Sequence, residues 1–179
     1  MIKIENSIPT DKETITQFQN KVRLKLPNDY IAFLERYNGG YPEPCIIHMK
    51  VTSRREVESS CIRSFFGFGL ENGDELAENY GFYRKFIPKE SIPICCDSDG
   101  NVILMSLSIE NYCEIYLWNH ERAPEHRAEL HELQYITDSF TDFLNRIVPY
   151  DPDTADMNEN DLISIWIHPD FDKIINGDI

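Results

Sequence analysis

Three groups of side chains have types and spacings that invite a chemical reading. Asp97, Asp99 and Asn101 stand at alternate positions, like the first ligands of a calcium loop. The glycine of this run, Gly100, falls at the fourth position, whereas an EF-hand needs it at the sixth, and strand-like residues flank it on both sides. A hairpin turn is expected instead. His120, His126 and His131 are neighbours in sequence, but spacings of six and five do not place them on one helical face, and no His-Glu-x-x-His occurs. They read as surface histidines. Cys95, Cys96 or Cys113 could serve as a nucleophile beside one of these histidines, yet Cys95 and Cys96 lie in a run that reads as buried strand, where a thiol is inert.

The remaining possibilities are weaker. With 31 acidic side chains, paired carboxylates are abundant and no glycosidase-type pair stands out. Phe65, Phe66 and Phe68 surround Gly67, with no Lys-Ser/Thr after it and no helix start, so this stretch predicts a closely packed bend and not a phosphate loop. Trp118, at the end of an apolar strand, reads either as core or as an aromatic anchor in an interface. No ligand spacing survives these tests, and neither a metal nor a cofactor is expected.

Charge is more informative. Residues 1–96 hold 13 acidic and 13 basic side chains, while residues 97–179 hold 18 and 4, so the whole net charge of −14 lies in the second part. A field of that sign repels nucleic acid and anionic membrane and steers cationic partners inward. The five cysteines include no Cys-x-x-Cys, and reduced, mostly buried thiols are expected rather than a disulfide framework or a zinc site. The first residues offer no apolar signal core, and no apolar run approaches the roughly 20 residues that cross a bilayer, so a cytoplasmic protein is expected.

The elements that must position these residues are marked along the chain. Pro27 suits a first helical position, Asp29 faces the positive end of the helix dipole, and Tyr30, Phe33, Leu34 and Tyr37 share one face. Asn38, Gly39 and Gly40 close this helix, and Pro42 prevents its continuation. Before it, Thr10 and Glu13 form a candidate capping box for a helix bearing Ile15, Phe18 and Val22, joined by an extended link through Leu24. Strands are expected over residues 45–51, 61–68, 92–96, 102–107 and 114–118, a helix over 75–86, and a last helix with Phe140, Phe143, Leu144 and Ile147 on one face. The Asp99-Gly100 step is expected to supply the positive φ angles of the hairpin between the third and fourth of these strands.

Three blocks of this sequence carry a family resemblance. Leu26-Pro27-x-Asp29-Tyr30 with Phe33-Leu34 and Asn38-Gly39-Gly40 comes first. Ile92-Pro93-Ile94, the acidic turn with Gly100-Asn101, and Ile115-Tyr116-Leu117-Trp118-Asn119-His120-Glu121 follow, and Ser139-Phe140-x-x-Phe143-Leu144 is third. Together they resemble the SUKH superfamily of Smi/Knr-like proteins, over roughly residues 10–148. The resemblance implies a single α+β domain with a twisted, mainly antiparallel sheet packed by helices. Residues 1–148 are expected to form that domain, and 149–179 an acidic extension docked on it. It further implies a non-catalytic protein that binds and neutralises a polymorphic toxin, or alternatively a regulatory adaptor of the cell-wall-synthesis type; the carboxylates of the acidic half leave a small carboxylate-dependent hydrolase as a third alternative. The partner is expected to be a basic protein domain, such as a nuclease, and not nucleic acid or membrane. Its expected contacts are Asp97, Asp99, Glu114, Glu121, Asp151, Asp153 and Asp156, with Tyr116 and Trp118 as apolar anchors.

Overall fold

Tyr30, Phe33 and Leu34 recur at the spacing of one helical face, and that face forms the centre of the core. The computed structural model describes residues 2–50, 57–71, 73–122 and 126–151. In it, Phe33 lies with its ring centroid 5.0 Å from those of Phe65 and Phe140, and Tyr30 lies 4.9 Å from Phe140. Edge-to-face and tilted contacts of this kind add about 0.5–1.5 kcal/mol per pair beyond the area they bury. Helix α1 spans Lys12–Val22 and α2 spans Asn28–Arg36. The cap of α1 is Asp11, whose carboxylate accepts from the Thr14 N–H at 2.7 Å, and not the expected Thr10. An ionised acceptor makes the stronger cap bond, which explains the one-residue displacement. Pro27 likewise sits at the cap of α2 and not at its first helical position.

The sheet order follows from hairpin succession. Strands β1 (Lys3–Glu5) and β2 (Tyr41–Glu43) form a small two-stranded sheet. The main sheet contains β3 (Ile46–Lys50), β4 (Val57–Phe65), β5 (Ser91–Asp97), β6 (Val102–Ser106), β7 (Ile115–Trp118), β8 (Gln134–Thr137) and β9 (Ile147–Val148). Its seven strands are ordered β8-β7-β6-β5-β4-β3-β9, every neighbouring pair antiparallel. Helices α3 (Leu76–Tyr83) and α4 (Phe140–Asn145) complete the α+β architecture that the sequence predicts. Pro93 is tolerated inside central β5 because the register shifts just after it, relieving the ladder of the donor that proline lacks.

Register assigns the faces. Phe65, Cys95, Ile103, Leu117 and Gln134 stand in one cross-strand row, and Phe65 packs against the rings of α2 and α4. The next row, Ser64, Cys96, Val102 and Trp118, points the other way, where Trp118 meets Tyr83 of α3 at 5.7 Å. The Asn38 side chain ties the end of α2 to the phenylalanine-rich bend: its Nδ2 donates to the Phe68 carbonyl and its Oδ1 accepts from the Phe68 N–H, both at 2.7 Å. Gly67 is required at that crossing, since a Cβ there would lie 2.0 Å from the Asn38 carbonyl oxygen.

Two further expectations are corrected. Ile147 does not extend α4; the helix ends at Asn145, and Ile147 pairs with Ile47 as part of an edge strand, which buries it equally well. Cys45 and Cys61 are joined in a disulfide across β3 and β4, with Cα atoms 5.0 Å apart, where reduced thiols were expected. The cause is register: the Ile62 N–H donates to the Cys45 carbonyl at 2.8 Å, which sets the two cysteines side by side despite a separation of 16 residues. Strands β1, β2, β8 and β9 are not anticipated from the sequence, being too short to show a period. The expected docked segment after Asp151 lies outside the described residues.

Candidate functional site

The turn between β5 and β6 is built around one carboxylate. Asp97 Oδ1 accepts from the backbone N–H groups of Asp99 at 3.0 Å and Asn101 at 2.7 Å; Oδ2 accepts from Ser60 Oγ at 2.8 Å and Asn101 Nδ2 at 2.9 Å. Four donors satisfy a carboxylate well, which is how it can be 1% exposed. Of the loop residues Ser98, Asp99 and Gly100, only Gly100 has positive φ, at 84°, so this is a three-residue hairpin loop and not a turn with positive φ at both Asp99 and Gly100. The calcium-like spacing of Asp97, Asp99 and Asn101 is therefore the signature of a self-capped turn.

Beside this turn lies a cleft of about 420 Å³. Its walls combine Met49, Leu117 and Leu133 with Asp97, Asp99, Asn101, Glu132 and Gln134, and Trp118 also lines it. Glu132 is fixed there by a reciprocal cap: its Oε2 accepts from the Glu129 N–H at 2.7 Å, and its Oε1 lies 3.7 Å from His126 Nε2. His120 Nδ1 is 3.3 Å from Asn101 Oδ1 at the same turn. Two donors among the lining residues, Trp118 Nε1 and Gln134 Nε2, are buried and have no hydrogen-bond partner.

The expected partner contacts do not form one patch. Asp97, Asp99 and Trp118 share the cleft. Tyr116 instead lines a second, more open groove with Tyr135, Glu90, Glu110 and Glu129. There the Tyr116 hydroxyl donates to Glu114, and the Tyr116 and Tyr135 rings meet edge-on at 5.8 Å. Burial and then the bond to Asp138 push the Tyr135 hydroxyl up to about 12; burial, with Glu114 second, also raises Tyr116. Glu121 is exposed on a single 3-10 turn, and Asp151 is exposed just after β9. Asp153 and Asp156 lie outside the described residues. With exposures of 1% and 6%, Asp97 and Tyr116 are not free surface groups, and the Trp118 ring, also 6% exposed, is core. Glu132 and Gln134 escaped the sequence reading, although Glu129 and Glu132 carry the spacing of a helix cap.

The cysteines are placed differently from one another. Cys95 is fully buried, and desolvation raises its thiol well above the usual value. Cys96 points to the α3 face, where Arg63 donates to its sulfur from Nη2 at 3.0 Å and Nε at 3.3 Å, so its surroundings are not the purely apolar ones that the strand pattern implied. Asp74 Oδ1 accepts from Ser64 Oγ at 2.7 Å beside them and lies 3.7 Å from Arg63. Among the described residues no group of His, Cys, Asp and Glu is placed to hold a metal ion. Nor is any helix there long and apolar enough to cross a membrane.

Fold and site together define an α+β domain whose distinctive surface is a polar cleft at the end of an antiparallel sheet. The chain belongs to the SMI1 / KNR4 family (SUKH-1), whose family model matches residues 9–146. It is also similar to YokK, an uncharacterized SPbeta prophage-derived protein of Bacillus subtilis (strain 168). The two are 24% identical over 176 residues, covering 89% of this chain and 85% of the relative.

Proposed function

We propose that this chain is a cytoplasmic, non-catalytic immunity protein that binds and neutralises a basic toxin domain. The observation that carries the proposal is the placement of charge. All of the net −14 falls after Cys96, although that part also supplies strands β6 to β9, whose folding gains nothing from mutual repulsion among acids. A binding role accounts for such a cost, and a nuclease domain, whose own substrate demands a positive cleft, is the complementary surface. Asp99 and Glu121 are exposed near the β5–β6 end and Asp151 near β9, so an approaching cation meets acids over a broad front. Family membership supports a protein-binding role.

The test is rescue. Candidate toxin domains encoded near the gene for this chain are expressed in a sensitive host with and without it, and growth is scored. Growth restored by the native chain, and lost when Asp99, Glu121 and Asp151 are reversed to lysine, supports the reading. Failure of the native chain to protect against that domain contradicts it.

A further inference from the structure

We infer that the pocket between the end of α3 and the start of β5 is a further binding site, for a diphosphate group, separate from the acidic surface. In a chain of net charge −14 this corner is basic: Arg84, Lys85, Lys89 and Arg127 surround a cavity of about 390 Å³ whose described lining holds one carboxylate, Glu90. Four cations less one acid leave +3. Among the described residues none of these four cations lies within ion-pair distance of a carboxylate, although the chain has 31 acidic side chains to offer. Cations gathered without counter-ions repel one another, and with a screening length of about 8 Å their field outweighs that of more distant acids. The backbone imposes the gathering. Arg127 is one of only 4 basic side chains after Cys96, yet the Ala128 N–H donates to the Phe86 carbonyl at 2.7 Å, and Arg127 Nη1 donates to the carbonyls of Arg84 and Ile87. Those bonds use one nitrogen of the guanidinium and leave Nε and Nη2 as donors.

The lining selects the ligand class. The guanidinium forks of Arg84 and Arg127 suit an oxyanion that accepts at two oxygens, and the two lysines add point charge. Ser91 also lines the pocket, and its buried hydroxyl has no partner; pairing with Ser106, in step with Val102, puts it on the sheet face that α3 covers, with Tyr80 and Arg84. Apart from Pro88 and the Tyr80 ring the described lining offers no apolar wall, so an acidic peptide or a lipid would find little contact for its apolar parts. A diphosphate concentrates several charges and many acceptor oxygens on a short body, enough to engage the cations of α3 and Arg127 together. The group occurs free, as inorganic pyrophosphate, and on nucleotides.

The full chain is titrated in metal-free buffer at about 20 mM salt with inorganic pyrophosphate, with ADP, and with citrate as a carboxylate polyanion, while backbone amide signals are followed by NMR. The expected result is a saturable shift confined to residues 84–91 and 127–128, with a dissociation constant for pyrophosphate of about 1 mM or below and citrate at least about tenfold weaker. ADP binding as tightly as pyrophosphate or more so assigns the site to a nucleotide; weaker ADP binding assigns it to the free anion, and either result supports the site. Arg84 and Lys89 have exposed side chains that bond to nothing in the described fold, so Arg84→Gln/Lys89→Gln should keep the native melting temperature and weaken pyrophosphate binding at least about tenfold. Shifts that are absent from these residues, equal with citrate, or unchanged in the double variant overturn the proposal. Should that variant fail to fold, the comparison of pyrophosphate with citrate on the native chain decides. The site does not depend on the toxin, so its loss leaves the proposed function standing.

Discussion

Replacing Asp97 by alanine removes one carboxylate and strands four donors at once. Two are backbone N–H groups, those of Asp99 and Asn101, and two are side-chain groups, Ser60 Oγ and Asn101 Nδ2. Ser60 and Asn101 are each 8% exposed, so water cannot replace all of the lost acceptors. Leaving a buried donor unpaired costs roughly 1–3 kcal/mol, and with two such donors and some relaxation of the exposed loop the expected loss is about 3–5 kcal/mol. For a chain of this size that lowers Tm by roughly 10 °C or more, and moves a urea midpoint by about 2 M at an m-value near 2 kcal/mol/M. Asp97→Asn keeps the shape but can accept on one side only, and should lie between, at about 1–3 kcal/mol. Asp99→Ala, on an exposed side chain in the same loop, should stay within about 0.5 kcal/mol of the native chain. Urea unfolding followed by far-UV circular dichroism is the assay. An Asp97→Ala midpoint within about 1 kcal/mol of native would refute the claim that this carboxylate organises the turn.

The remaining predictions address the core, the backbone and pH. Phe33→Ala, which opens a space among Tyr30, Tyr37, Phe65 and Phe140, should cost roughly 3–5 kcal/mol in calorimetric melting, and an unchanged Tm would remove α2 from the centre of the fold. Gly67→Ala should prevent native folding, because its Cβ has no room beside Asn38, whereas Gly81→Ala in α3 meets nothing within 4 Å and should gain about 0.5–1 kcal/mol; equal melting temperatures would contradict both. Stability should fall in alkali: Tyr30, Tyr116 and Tyr135 have raised hydroxyls, Tyr135 to about 12, so the stability they contribute is present below their unfolded value near 10 and is lost as pH rises toward their folded values. Urea midpoints that stay constant from about pH 9 to 11.5 would count against that burial.

How far this structure can be read from the chain depends on how locally each feature is encoded. The face of α2, its Asn38-Gly39-Gly40 ending and the β5–β6 hairpin are legible because periodicity and turn residues act within a few positions. The cap of α1 shifts from Thr10 to Asp11 because neighbouring polar groups compete for the same N–H, whereas Pro27 sits at the cap of α2 with no side-chain hydrogen bond. Edge strands of two or three residues carry no period at all, so β1, β2 and β9 are invisible until pairing is known. The disulfide and the Arg63–Cys96 contact are products of register between strands, which spacing does not reveal. The cleft is less legible still. Its wall is assembled from stretches between Met49 and Gln134, and only the acidic turn at its edge and Trp118 stood out.

The central claim is that the acidic part of this chain receives a basic protein, and association kinetics test it most directly. Stopped-flow mixing of the full chain with its toxin domain is carried out at about 20 mM and about 150 mM salt, where the screening length falls from roughly 20 to 8 Å. Charge steering predicts an association rate that falls about tenfold or more across that range, with dissociation little changed, and a further fall when Asp99 and Glu121 are reversed to lysine. A rate that changes less than about twofold with salt, and is indifferent to those reversals, would show that the acids keep the protein soluble and that the interface lies elsewhere.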